Sequence, residues 1–269
     1  MKVAGLQHDI SWEDAPGTLE RVEALVGDAA TQGARLLVLP EMFATGFSMN
    51  EALVTAAEAT IVERLEDWAK CYGIWIIAGV AVKGTPRPRN AALVIQPDGR
   101  SQGRFEKLHP FSLAREHEHF DGGESLPSFL VEGVRVTVLV CYDLRFPEPF
   151  RIAAADTDLF CVIANWPETR RSAWQSLLVA RAIENQAYVL GVNRCGTGDG
   201  LSYAGDSALL DPFGECLARA PIGQGMVVGL VDPQCVNATR TRFPFLDDRR
   251  PTLYSRLDDA RRGAHSSDR

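Results

Sequence analysis

Short runs of consecutive apolar residues, many of them β-branched, alternate along this chain with longer stretches in which apolar positions return every three or four residues. The first kind predicts buried strands and the second amphipathic helices. Residues 2–7 read as a strand. Leu19, Val22, Val26 and Ala29 then mark one face of a helix that Gly33 stops. LLVL at 36–39 is the next strand, followed by a helical stripe (Ile61, Leu65, Trp68, Ala69, Tyr72) that Gly73 closes, and by a strand at 74–82. AALVIQPDGRSQGRFEK reads as a hairpin turning at Asp98-Gly99, and SALLDPFGECLA at 207–218 repeats that device. Between them lie strands at 134–140 and 158–165, and a helix at 172–186 with Trp174, Leu177, Leu178 and Ala182 on one face. Ser172 and Gln175 have the spacing of a capping box at its start. Strands at 187–192 and 227–231 complete the set.

Two strand–helix–strand stretches, each leading to a P-x-G hairpin, predict two related halves around one core. The expectation is a single domain over residues 1–257. Strands alternating with helices, then hairpins, imply sheets covered by helices, an α/β architecture. The polar segment 258–269 is expected to be a disordered tail.

Composition narrows the function. Of 269 residues, 46% are hydrophobic and 23% charged, ordinary for a globular chain with a large core. The net charge of −7 argues against nucleic acid or an anionic membrane as partner. No apolar run approaches the roughly 20 residues that span a bilayer. At the amino terminus Gln7, His8 and Asp9 interrupt any signal-like stretch, so a cytoplasmic location is expected. The six cysteines (71, 141, 161, 195, 216 and 235) show no CxxC and accompany no His pair at metal spacing. They read as reduced thiols, and neither a metal nor an organic cofactor is expected. His117 and His119 lack a third convergent ligand and read as solvated loop residues.

Three apolar runs end on chemistry. The run at 134–140 stops at Cys141, LLVL stops at Pro40-Glu41, and Lys107 stands just past a strand-like segment. A thiol, a carboxylate and an ammonium at strand ends can act as nucleophile, proton shuttle and oxyanion stabiliser. A free Cys is mostly protonated at neutral pH, so it needs a base or a cation beside it. Glu41 can take the thiol proton and Lys107 can lower the thiol pKa, with the backbone N–H of Tyr142 as a second oxyanion donor. The bland alternative is a structural Glu41–Lys107 ion pair at a sheet rim. Arg145, four residues past the thiol, and Arg170, after Asn165-Trp166-Pro167, are candidates to fork onto a substrate carboxylate. Arg145 could instead pair with Asp143 or Glu148. Trp166 and Phe43 are candidate apolar walls, with Tyr203 beside them.

LPEMF, EKLHPF and VCYDLRFPE, with 66 residues from Glu41 to Lys107 and 34 from Lys107 to Cys141, resemble the three motifs of the nitrilase (carbon–nitrogen hydrolase) superfamily. The resemblance runs from residue 1 to about residue 250. It implies a four-layer α-β-β-α sandwich, a Glu41–Lys107–Cys141 triad working through a cysteine thioester, and a homodimer formed through helices beside the nucleophile. EHEHFDGG resembles the stretch carrying a second glutamate, which makes Glu116 a candidate to orient Lys107 or the substrate; a solvated loop glutamate is the alternative. True nitrilases follow the nucleophile with Trp-Glu, whereas this chain has Tyr-Asp, which implies an amidase. ANWPETR, GLSYAGDS and RFPFLDDR are similar to stretches of bacterial ω-amidases, which act on 2-oxoglutaramate or 2-oxosuccinamate. Cys195 stands where those have an aliphatic residue, and the loop GTGDG is a residue shorter. The rivals are an amidase for deaminated glutathione or N-carbamoyl amino acids, and a non-catalytic scaffold relative.

Overall fold

The computed structural model describes residues 1–266. In chain order the elements begin with β1 (Lys2–Gln7), α1 (Ala15–Thr31), β2 (Leu36–Val38), α2 (Glu51–Ala56), α3 (Glu58–Tyr72), β3 (Trp75–Val82), β4 (Arg89–Ile95) and β5 (Ser101–Glu106). They continue with α4 (Glu116–His119), β6 (Ser128–Val131), β7 (Val134–Val140), α5 (Pro147–Ala153), β8 (Leu159–Ala164), α6 (Arg171–Asn185) and β9 (Tyr188–Asn193). The hairpins β10 (Cys195–Gly198)–β11 (Leu201–Ala204) and β12 (Ala208–Leu210)–β13 (Cys216–Arg219) follow. The chain then forms β14 (Gly225–Leu230), α7 (Pro233–Arg242) and α8 (Pro251–Ser266).

Two six-stranded sheets result, ordered β14-β1-β2-β3-β4-β5 and β6-β7-β8-β9-β12-β13. Each has three parallel strands in the middle, one antiparallel strand on one side and an antiparallel hairpin on the other. The two halves therefore have the same topology, with β1, β2 and β3 corresponding to β7, β8 and β9.

The continuous apolar runs follow from burial on both faces. In the first sheet Val3, Leu36, Val38 and Ile77 face the second sheet. Their neighbours Ala4, Leu6, Leu37, Leu39 and Ile76 pack instead against Leu19, Val22 and Val26 of α1 and Ile61, Leu65 and Trp68 of α3. On the far side Phe150 of α5 and Trp174, Leu178 and Ala182 of α6 join the core with β8 and β9. The layers are thus helices, sheet, sheet, helices: a four-layer α-β-β-α sandwich. The sheets approach closely at Gly5, where a Cβ would stand 2.7 Å from Val192 Cγ2.

The helix and hairpin expectations match α1, α3, α6, β4–β5 and β12–β13, and Gly73 closes α3 in the left-handed conformation. Two expectations differ. Helix α6 begins at Arg171, with Arg170 at its N-cap and no side-chain cap, so Ser172 lies inside the first turn and forms no capping box. The expected tail from residue 258 also differs: 258–266 continue α8, and the remaining three residues lie outside the described chain. Ala260, Arg261 and Arg262 are good helix formers, and polarity is not absence of structure.

Candidate active site

The site gathers at one end of the two sheets, where strand ends from both halves meet. Past β2 the chain turns sharply at Pro40-Glu41-Met42, held by Gly79 N–H to Pro40 O (3.1 Å) and Phe43 N–H to Gly79 O (3.0 Å). Past β7 comes Cys141 with φ of 46°, a left-handed conformation that a Cβ-bearing residue rarely adopts. A short 3-10 turn, Cys141–Arg145, follows, and Pro147 opens α5. The buried Asp143 carboxylate fixes this elbow: it accepts from Val140 N–H (3.1 Å) and His109 N–H (3.0 Å) and meets His109 Nδ1 (2.8 Å). One side chain thus ties the cysteine turn to the segment carrying Lys107.

Lys107, Glu41 and Glu116 are all but inaccessible to solvent, at 1%, 0% and 0% exposed. Lys107 Nζ lies 2.8 Å from Glu41 Oε1 and 2.8 Å from Glu116 Oε2. Asn90 Nδ2 donates to Glu41 Oε1 (2.8 Å) and to Glu116 Oε1 (2.9 Å). Phe111 N–H donates to Glu116 Oε2 (2.6 Å) and Asn165 N–H to Glu41 Oε2 (2.8 Å). Cys141 completes the array. Its sulfur lies 3.9 Å from Asn165 O, and the charges of Glu41 and Lys107 both act on the thiol. Glu116 is therefore not a solvated loop residue: α4 turns it inward.

Burial and charge settle the resting protonation. Burial would discharge Lys107, but the carboxylates of Glu116 and Glu41 outweigh it and hold the ammonium charged, its pKa above the ordinary lysine value. Burial raises the Cys141 thiol pKa well above its usual value, the Glu41 charge adds to this, and the Lys107 charge opposes both without reversing them. The expected lowering of the thiol pKa by Lys107 is thus overridden, and Cys141 rests as a thiol beside a carboxylate. Burial also raises the Glu116 pKa, against the pull of Lys107.

Cys141 lies in a cleft of about 430 Å³, a size suited to a small ligand. Tyr142, Arg145, Trp166 and Arg170 all line it. The Tyr142 N–H sits in the first turn of the 3-10 segment, where helical N–H groups lack intrahelical acceptors. Arg145 stacks over Trp166 (4.8 Å from guanidinium carbon to ring centre) and Arg170 over Phe111 (5.3 Å). Among the described residues neither guanidinium is paired with a carboxylate; Asp143, a candidate partner of Arg145, is engaged by His109 and Val140. Glu13 and Asp199 also reach the cleft, and Glu13 accepts from Ser48 Oγ.

Phe43 is a correction. It is fully buried in the core under α3, 6.4 Å from the Trp68 ring centre, and does not line the cleft. The turn after Glu41 sends it inward, and Phe47 forms the wall instead, its ring 4.9 Å from Lys107 Nζ. Sequence reasoning missed Asn90, Asp143, Asn165 and Phe111 as parts of the array. The first three carried a usable signal, since each is a polar residue at or near the end of an apolar run, as Glu41 is. Phe111 contributes a backbone N–H, which no side-chain pattern marks.

Among the described residues no group of three His, Cys, Asp or Glu could hold a metal ion. His119 Nδ1 instead lies 2.9 Å from Glu51. Among the described residues no helix is long and apolar enough to cross a membrane.

The fold and the site define the class. The sequence pattern of the carbon–nitrogen hydrolase family matches residues 2–241, and the chain belongs to that family. It is a thiol-dependent enzyme that hydrolyses amides. Among proteins of known sequence it is 39% identical over 250 residues to the omega-amidase YafV of Yersinia enterocolitica, covering 92% of this chain and 96% of that one. It is 33% identical over 256 residues to the 2-oxoglutaramate amidase of Bacillus subtilis (strain 168), covering 94% and 98%. Among solved structures it superposes on XC1258 of Xanthomonas campestris, a CN-hydrolase superfamily protein with an arsenic adduct in its active site. That match has a TM-score of 0.86 at 32% identity, over 93% of this chain and 97% of that one. It is likewise similar to an amidase from Nesterenkonia sp. AN1, seen with acrylamide added at the active-site cysteine. There the TM-score is 0.85 at 27% identity, over 96% and 99%.

Proposed function

We propose that this enzyme releases ammonia from the ω-amide of a small 2-oxo dicarboxylic acid, such as 2-oxoglutaramate or 2-oxosuccinamate, with Cys141 as nucleophile. The observation that carries the reading is a half-buried thiol beside a buried carboxylate–ammonium pair, opening onto a small cleft that holds two arginines without carboxylate partners among the described residues. The names of the omega-amidase and 2-oxoglutaramate amidase relatives support the substrate class.

The sulfur attacks the amide carbon as Glu41 takes the thiol proton, so the thiolate forms only as it is consumed. The C=O electrons move onto oxygen, and Lys107 Nζ with the Tyr142 N–H holds that oxyanion. Glu41 returns the proton to the nitrogen, the C–N bond breaks, ammonia leaves and a thioester remains. Water, deprotonated by Glu41, then attacks the thioester, and the thiol is regenerated with the free acid as product. Glu116 orients Lys107. Trp166 and Phe47 wall the substrate, and Arg145 or Arg170 binds its far carboxylate.

The test is a charge-conserving swap. Replacing the arginine that forks onto the carboxylate by Lys is expected to lower kcat/KM for 2-oxosuccinamate about tenfold to a hundredfold, roughly 1–3 kcal/mol. Propionamide, which has no carboxylate, should be little affected by the same change. Equal losses on both substrates would make the arginine structural. Faster hydrolysis of uncharged amides by the unmodified enzyme would remove the 2-oxo acid assignment.

The remaining parts of the reading are a single carbon–nitrogen hydrolase domain over residues 1–257, a cytoplasmic location, and a homodimer through α5 and α6. The exposed Ile152 and Ile183 on those helices support the dimer. No nucleic acid or membrane partner is proposed.

A further inference from the structure

The mechanism gives Glu41 two jobs, accepting a proton from sulfur and delivering it to nitrogen, yet a second carboxylate stands within reach of the same ammonium. Two carboxylates around one cation invite a shared proton or a swing of either side chain. Asn90 answers both. It sits at the start of β4, buried at 2% exposure, and its single amino group donates to Glu41 Oε1 (2.8 Å) and Glu116 Oε1 (2.9 Å). Its Oδ1 has no partner among the described residues, so the amide orientation is set by the carboxylates and not by anything the oxygen gains. Its backbone O accepts from Lys107 N–H (2.9 Å), which places the lysine from the same residue.

Oxygen by oxygen, the arrangement is asymmetric. Glu41 Oε1 receives both Lys107 and Asn90, whereas among the described residues Oε2 receives only the backbone N–H of Asn165, the residue whose carbonyl lies 3.9 Å from the Cys141 sulfur. We propose that Asn90 is a positioning residue which saturates Oε1, leaves Oε2 as the oxygen that exchanges the proton with Cys141, and keeps Glu116 ionised and apart from Glu41. This rests on the reading of Glu41 as the base.

The groups whose charge bears on this array are Glu41 beyond β2, Lys107 beyond β5, Glu116 on α4, Cys141 beyond β7 and the Tyr203 phenol on β11. A donor to a carboxylate favours its ionised form, so removing it raises the carboxylate pKa. In Asn90→Ala, kcat for 2-oxosuccinamate should therefore fall about tenfold to a hundredfold while KM changes little, and the acid limb of the kcat profile should move up by about one pH unit. Asn90→Asp keeps the shape but replaces the donor by a third carboxylate, and should be worse at neutral pH than Asn90→Ala. A kcat loss that is uniform across pH, with the acid limb unmoved, would mean a merely structural role and overturn the proposal; so would unchanged kcat. Glu41→Gln separates the two readings. If it keeps turnover, the base assignment fails; if it is inactive while Asn90→Ala behaves as the unmodified enzyme, only the Asn90 proposal fails. Should either Asn90 variant fold poorly, the side-chain amide NMR signals of Asn90 in the unmodified enzyme decide. Both protons should be shifted downfield, protected from exchange and sensitive to the titration of the acid limb. Free-amide shifts with rapid exchange would overturn the proposal.

Discussion

At the scale of single residues, burial decides what each ionisable group is. Glu116 has an unremarkable sequence context in EHEHFDGG, yet its carboxylate is fully enclosed and takes hydrogen bonds from Lys107, Asn90 and Phe111. Neutralising it in Glu116→Gln should leave the near-UV circular dichroism intact but lower kcat by at least about tenfold, because a preorganised charge is lost. Unchanged kcat would make Glu116 a spectator. His8 carries a prediction of a different kind. Burial at the end of β1, helped by the charges of Arg194 and Arg21 and opposed by its bond to Phe43 O, lowers its pKa from 6.5 to about 4. Between those values the unfolded chain binds a proton that the folded chain refuses. The stability is therefore complete above about pH 6.5 and declines as pH falls toward 4, by up to about 3 kcal/mol from this residue. Urea unfolding of His8→Gln across that window should show a shallower acid decline than the unmodified protein. Identical slopes would mean that His8 does not carry it.

At the scale of elements, the site depends on strand ends whose turns are tightly supported. A Cβ at Gly79 of β3 would stand 2.5 Å from Glu41 Cα and 2.6 Å from both Met42 N and Pro40 O. These are backbone atoms that cannot rotate away. Gly79→Ala should therefore push the Glu41 turn out of place, costing stability on the order of 1–3 kcal/mol by overpacking and lowering kcat further than KM. Denaturation midpoints together with steady-state kinetics measure both, and normal kcat would show that the Glu41 turn tolerates displacement. The cleft wall β10–β11 works differently. Its residues have little apolar character, and Arg194 holds it by hydrogen bonds to Thr197 O, Ile10 O and Asp9 with its guanidinium over the Tyr203 ring.

At the scale of the whole molecule, the repeated topology has a chemical consequence. β2 and β8 occupy equivalent places in the two sheets, and the residues after them, Glu41 and Asn165, meet across the sandwich through Asn165 N–H to Glu41 Oε2. The Glu41 carboxylate of one half is thus held by the backbone of the other. Outside the sandwich, α5 and α6 present Ile152 (72% exposed) and Ile183 (47% exposed), apolar positions suited to a second copy. The unmodified protein should sediment as a dimer at micromolar concentration, and Ile183→Asp should shift it toward monomer with its circular dichroism unchanged. A monomeric unmodified protein would end the homodimer proposal.

Local pattern alone made most of the sandwich legible. Strands buried on both faces read as continuous apolar runs, α1 and α3 as helical stripes, and Asp98-Gly99 as a hairpin turn, because burial and backbone geometry act on neighbouring residues. The positions of Glu41, Lys107 and Cys141 were legible too, since a polar residue that abruptly ends an apolar run has few structural reasons to be there. Tertiary structure decided the rest. It turned Phe43 into the core and put Phe47 in the cleft, because the direction of a side chain after a sharp turn is set by the turn's long-range bonds to Gly79. It kept the Cys141 thiol protonated despite the nearby Lys107, because burial and two carboxylates from distant segments outweigh one ammonium. It also brought Asn90 between those carboxylates. Their arrangement depends on distances between strands far apart in the chain, which no local periodicity encodes.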